Sequence, residues 1–166
     1  KNIYVSDCSF MGTDVGLRFK STRGRGGVVE NIYINNINMI DIPNEPLLFD
    51  LFYGGKGAGE ESDEEVAARM RAAIPPVTEE TPAFRNIFIS NVNCKGTDGR
   101  AMFFNGLPEM PVKNVSVKNV IISGAKKGVV ISQAEDVTFE NVRIETVDGS
   151  DPMKVNNAKN LKVDGK

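Results

Sequence analysis

The chain has 166 residues, 40% hydrophobic and 25% charged, which suffices for a buried core and is ordinary for a soluble fold. Its 20 basic and 22 acidic residues give a net charge of −2, so no bulk field favours nucleic acid or an anionic membrane, and no apolar run reaches the ~20 residues that span a bilayer. Histidine is absent, which removes Ser/His/Asp and Cys/His nucleophilic machinery, and two cysteines make no disulfide framework.

The chain opens on Lys1-Asn2-Ile3-Tyr4-Val5-Ser6-Asp7, a phrase that returns from Glu30, Arg85, Lys113, Glu135 and Lys159. From one copy to the next the spacings are 29, 55, 28, 22 and 24 residues. Periods of ~20–50 residues mark a solenoid, whose units hide their apolar faces by stacking on one another. Within each copy apolar residues alternate (Ile3 and Val5, Ile32 and Ile34, Ile87 and Ile89), which predicts a strand. The apolar spacing then stretches by one residue at Asp7, Asn36, Asn91, Asn119, Asn141 and Gly165. These residue types enter the left-handed region most easily, so a sharp bend is expected there, with stacked Asn side chains forming an amide ladder. A further strand is predicted in most units, at Leu17-Arg18-Phe19, Met102-Phe103-Phe104, Val129-Val130-Ile131 and Met153-Lys154-Val155. Leucine-rich and helical repeats lack their spacing here. The expected fold is an all-β, right-handed parallel β-helix over residues 1–166. Cys8 and Cys94 take inward slots filled elsewhere by Val, Ile, Phe or Met, and read as small buried hydrophobes.

On the first coil, Leu17 and Phe19 face inward, which sets Arg18 and Lys20 side by side on the outer wall. Two such cations repel, and the pair suits an anionic ligand, Arg giving a two-pronged grip and Lys a point charge. The alternative is that Asp50, placed by register beside Lys20, neutralises the pair. Phe52, Tyr53 and Phe103 lie toward the same face, either as an aromatic platform for a sugar ring or as rim packing. Arg23-Gly24-Arg25-Gly26-Gly27 is similar to arginine–glycine nucleic-acid segments, but one short copy between strands reads as a turn.

The doubled spacing in the third coil predicts an insertion over 54–84. Gly54 to Gly59 is glycine-rich, Ser62-Asp63-Glu64-Glu65 fits a capping box, and a short helix is expected from Val66 to Ala73, ended by Pro75 and Pro76. Such insertions often border a binding face; an acidic, solvated excursion is the other reading. Gly54-Gly55-Lys56-Gly57 lacks phosphate-loop spacing, and Asn114-Val115-Ser116, formally a glycosylation acceptor, belongs to the repeat. No cluster has metal-ligand spacing, and no cofactor is expected. Nothing at the N-terminus reads as a cap, so earlier coils are expected to be missing, and the open strand edge suits end-to-end pairing with a second copy.

The run from Gly12 to Ile32, with Arg18-Phe19-Lys20 inside it, resembles the Arg-x-Lys segment of polygalacturonase-type glycoside hydrolases. Phe49 to Tyr53 and Met102-Phe103-Phe104-Asn105-Gly106-Leu107-Pro108 are similar to bacterial members. The resemblance implies a β-helix, action on pectic chains of galacturonic acid, hydrolysis with inversion, and a secreted or periplasmic protein. It also implies that Arg18 and Lys20 hold a substrate carboxylate and that Tyr53 touches the sugar. The family's Asn-Thr-Asp, Asp-Asp and Gly-His-Gly segments do not occur here, and Asp14 and Asp98, each read as a turn residue, are no substitutes. The chain alone is therefore expected to bind without cutting. Two rival readings stay open: a non-catalytic β-helix for carbohydrate binding or adhesion, and a polysaccharide lyase, which the lack of acidic clusters disfavours.

Overall fold

A left-handed residue stands at both ends of every repeated phrase. Asn2 and Asp7, Asn31 and Asn36, Asn86 and Asn91, Asn114 and Asn119, and Asp136 and Asn141 all have φ between 51° and 58°, and Asn160 and Gly165 close the series at 53° and 78°. A Cβ makes this region costly for most residues, and the short polar side chains of Asn and Asp relieve the cost by local hydrogen bonding. The closing bends agree with expectation; the opening ones add a second corner to each coil.

The computed structural model describes residues 1–53 and 73–165. Its elements are β1 (Ile3–Met11), β2 (Leu17–Lys20), β3 (Val28–Ile42), β4 (Leu47–Asp50), β5 (Ala83–Asn105), β6 (Val112–Thr146) and β7 (Met153–Val163). Every pairing between them is parallel: β1 on β3, β3 on β5, β2 on β4, β4 on β5, β5 on β6 and β6 on β7. Ile3, Ile32, Ile87 and Val115 share one register position, so each phrase lies on the one before it. This is the parallel β-helix that the repeat predicts. The sequence does not mark strand β4, because Leu47-Leu48-Phe49 is a continuous apolar run without alternation.

The helix expected from the Ser62 capping box lies outside the described residues. Ala83 and Phe84, counted with the insertion from the sequence, belong to β5, where they pair with Val28 and Val29, and Phe84 is 1% exposed. The coil therefore resumes at Ala83.

Inward rows fill the core. Ile32 is 3% exposed while its counterpart Ile3, on the first coil, is 48% exposed, since a rung is buried only when coils lie on both of its sides. Phe19, Phe49 and Phe104 stack down a second inward row with centroids 4.8 and 4.6 Å apart. On an outer wall Tyr4, Tyr33 and Phe88 stack in the same way, at 4.8 and 5.3 Å.

Two amide ladders tie the corners. At the opening bends Asn31 Nδ2 donates to Asn2, Asn86 to Asn31 and Asn114 to Asn86, at 3.1, 3.2 and 2.8 Å. Asn114 thus has its amide committed to the fold. At the closing bends Asn36 donates to Asp7, Asn119 to Asn91 and Asn141 to Asn119. Asn91 breaks the pattern by donating to Asn35, one residue early, at 2.7 Å.

Cys94 is fully buried beneath Met39, and Cys8 is half-buried on the first coil. Burial, reinforced by the charge of Asp41, pushes the Cys94 thiol up to about 11. Alkylation of the native protein at pH 8 is expected to spare Cys94 until denaturant is added; mass spectrometry of the labelled peptides checks this.

Candidate functional site

Alternation on β2 sends Leu17 into the core, 7% exposed, and Arg18 and Lys20 out to solvent. Register sets Arg18 beside Leu48 and Lys20 beside Asp50, as the sequence suggested. Asp50, however, is 4% exposed and its Oδ1 accepts from the Phe52 backbone N–H at 3.0 Å and from Asn105 Nδ2 at 2.8 Å. A carboxylate that bonds the amide two residues on forms an Asx turn, which here bends the chain out of β4. No ion pair joins Lys20 to Asp50. The aspartate turns the chain and does not neutralise the cations.

That turn delivers Tyr53. Its backbone N–H donates to the Ser21 carbonyl at 3.1 Å, and its ring carries Lys20 Nζ at 4.3 Å and Arg18 Cζ at 5.1 Å from the centroid. The electron-rich face lowers the repulsion between the two cations, each contact contributing about 0.5–1 kcal/mol at an exposed site. Arg18, Lys20 and Tyr53 therefore form one cluster. Among the described residues neither cation has a carboxylate partner.

The other arginines near the aromatic residues are differently placed. Arg23 lies 5.1 Å over Phe52 and donates from Nε and Nη2 to Glu109 at 2.6 and 2.8 Å. Arg100 lies 3.7 Å over Phe103 and donates to Glu45 Oε1 at 2.9 and 2.7 Å. Phe52 and Phe103 thus each hold a neutralised guanidinium against one face, which fits rim packing better than a sugar platform. Sequence reading missed both ion pairs. Glu45 and Arg100 are 55 residues apart, the coil spacing at that point, so register carries a signal for them. Arg23 and Glu109, 86 residues apart, skip a coil, and no repeat spacing pairs them.

Glu109 is held below the usual carboxylate range, chiefly by its hydrogen bonds from Arg23. A group depressed in the folded state binds fewer protons there than in the unfolded chain, so its stabilisation is full above the unfolded value of about 4.3 and fades as pH falls through the lower folded value. Acid unfolding followed by circular dichroism is expected to be less steep below pH ~4.3 in Glu109→Gln than in the wild type.

Among the described residues, the aspartates that the sequence brings into question are engaged in the fold. Asp50 is buried and doubly bonded, Asp14 accepts from Asn44 Nδ2 at 2.6 Å, and Asp98, at a register shift in β5, lies 3.0 Å from Lys126. Among the described residues no group of three potential metal ligands occurs. The arrangement can attract and orient an anion.

Residues 1–70 match the family model described as glycosyl hydrolases family 28. A polygalacturonase from Ralstonia nicotianae is 29% identical over 167 residues, covering 95% of this chain and 28% of that protein. One from Ralstonia solanacearum is 30% identical over 133 residues, 74% of this chain and 21% of its own length. A probable polygalacturonase from Arabidopsis thaliana is 32% identical over 68 residues, 41% of this chain and 15% of that protein. The chain spans at most 28% of the length of these curated relatives. No solved structure matches it.

Proposed function

Because the chain belongs with the polygalacturonase-type glycosyl hydrolases, of whose members it covers only a part, we propose that it forms the substrate-holding coils of a pectin-degrading hydrolase. Arg18 and Lys20 hold the carboxylate of a galacturonate unit, and Tyr53 fixes both cations and touches the sugar. The single observation behind this reading is the pair of exposed cations on one tyrosine with no described carboxylate partner, while the acid beside Lys20 in register, Asp50, is spent on the fold. Galacturonan offers one carboxylate per sugar, which a guanidinium meets with two parallel hydrogen bonds and an ammonium with a point charge.

Inverting hydrolysis needs an acid and a base carboxylate ~6.5–9.5 Å apart across the scissile bond. The described wall offers no such pair, so in this reading both come from polypeptide outside this sequence. The polymer lies outside cells, which goes with a secreted or periplasmic protein.

The test is calorimetric titration of the chain with trigalacturonate and with neutral trigalactose, alongside an assay for reducing ends released from polygalacturonate. Binding of the acidic sugar alone, weakening with salt and without release of reducing ends, is the expected result. Equal binding of both sugars overturns the carboxylate reading, and release of reducing ends overturns the assignment of chemistry to other coils.

A further inference from the structure

The Arg23-Gly24-Arg25-Gly26-Gly27 segment, which the cation site leaves unused, is a turn fastened on two sides. Gly24 and Gly26 both donate their backbone N–H to the Glu80 carbonyl, at 3.0 and 2.9 Å. Gly26 has φ 59°, and a Cβ there would run into the Glu79 carbonyl oxygen, so only glycine lets the two backbones meet. This anchors the turn to the chain returning toward β5.

The other fastening crosses three coils. Glu109 stands in a tight turn in which Leu107 and Met110 exchange backbone hydrogen bonds at 3.2 and 3.1 Å. Its side chain is 4% exposed and faces Arg23, whose side chain is 37% exposed. Between them, on the middle coil, the Phe52 ring lies under the guanidinium. Phe52 is the residue before Tyr53, and the Tyr53 amide is tied to Ser21, two residues before Arg23. One short segment of the first coil therefore grips the Phe52–Tyr53 pair twice, by a backbone hydrogen bond and by a guanidinium over the Phe52 ring that a buried carboxylate holds with two hydrogen bonds.

We propose that Arg23 is a positioning residue: by chelating Glu109 across Phe52 it fixes the Phe52–Tyr53 pair and so sets the tyrosine ring against Arg18 and Lys20. The alternative is that the ion pair only staples the coils and leaves Tyr53 where it is. Arg100, Glu45 and Phe103 make the same kind of staple on a ring that is not next to Tyr53 in the chain, and they serve as the internal control. The consequence for sugar affinity rests on the anionic-sugar reading above; the consequence for Tyr53 does not.

The experiment labels the full chain with 13C-lysine and reads the ring-current shift of the Lys20 ε-methylene, identified as the signal that Tyr53→Leu removes. In Arg23→Ala this signal is expected to move most of the way to its Tyr53→Leu position, in Arg23→Lys part of the way, and in Arg100→Ala not at all. Trigalacturonate affinity is expected to fall roughly 2- to 5-fold in Arg23→Ala, the range of one cation–π contact. If Arg23→Ala does not fold, Glu109→Gln, which keeps the side-chain volume and removes the charge, carries the test with the same expected movement. A Lys20 signal at the wild-type position in a folded Arg23→Ala or Glu109→Gln overturns the positioning role, whatever the affinity. Movement of the signal in a chain that binds no trigalacturonate upholds the positioning role and overturns the sugar reading.

Discussion

Arg18→Ala is expected to weaken trigalacturonate binding by roughly 10- to 100-fold, the value of a charge-assisted, two-pronged hydrogen bond of about 1.5–3 kcal/mol. The geometry favours Arg18 over Lys20 for the larger loss, because a planar guanidinium matches a carboxylate with two bonds and an ammonium with one. Lys20→Ala should therefore cost less, and Arg18→Lys should recover only part of the affinity. Removing one cation also relieves its repulsion with the other on the shared Tyr53 ring, so the two single losses should sum to less than the double variant shows. Both side chains are exposed, so stability from urea unfolding should stay within about 1 kcal/mol of wild type, the size of the ring contact each loses, which separates lost contact from lost fold. Wild-type affinity in Arg18→Ala, measured by calorimetry at low salt, would remove the residue from the site.

Phe49→Ala should produce the largest loss of stability, about 3–5 kcal/mol, from a domain total of ~5–15 kcal/mol. Phe49 is fully buried, with Phe19 stacked 4.8 Å above and Phe104 4.6 Å below. Truncation opens a cavity between two rings that neighbouring coils hold apart at the spacing of β-strands, so the gap cannot close without breaking backbone pairing. Phe19→Ala, on the half-buried first coil, should cost less, because solvent can fill the space it leaves. Urea unfolding of the two variants side by side distinguishes them; equal losses would mean that the first coil is as well covered as the second. Phe49 also lies one residue before Asp50, so its loss is expected to loosen the Asx turn that delivers Tyr53.

The repeated phrase made the β-helix legible, since alternation fixes which side chains face inward and a polar residue that tolerates positive φ fixes where each coil bends. It carried the second corner as well: Asn2, Asn31, Asn86, Asn114, Asp136 and Asn160 are the same residue types in one slot, although alternation does not mark them. Leu47–Asp50 is not legible, because a strand buried on both faces has no period of two. Arg18 and Lys20 were legible from alternation on β2 alone. The link to Tyr53 was legible only as a shared side of the solenoid.

By itself the sequence determined the solenoid, its inward rows and the outward pair of cations, because each of these depends on residues within one coil and on a spacing that repeats. Tertiary structure alone decided the fate of Asp50, whose carboxylate had a cation beside it in register and a backbone amide two residues ahead, and went to the amide. It alone joined Arg23 to Glu109 across an intervening coil and set three aromatic rings against cations. Those choices turn on the direction of side chains between stacked coils, and a one-dimensional repeat fixes which residues are neighbours without fixing which of several neighbours a flexible charged group will meet.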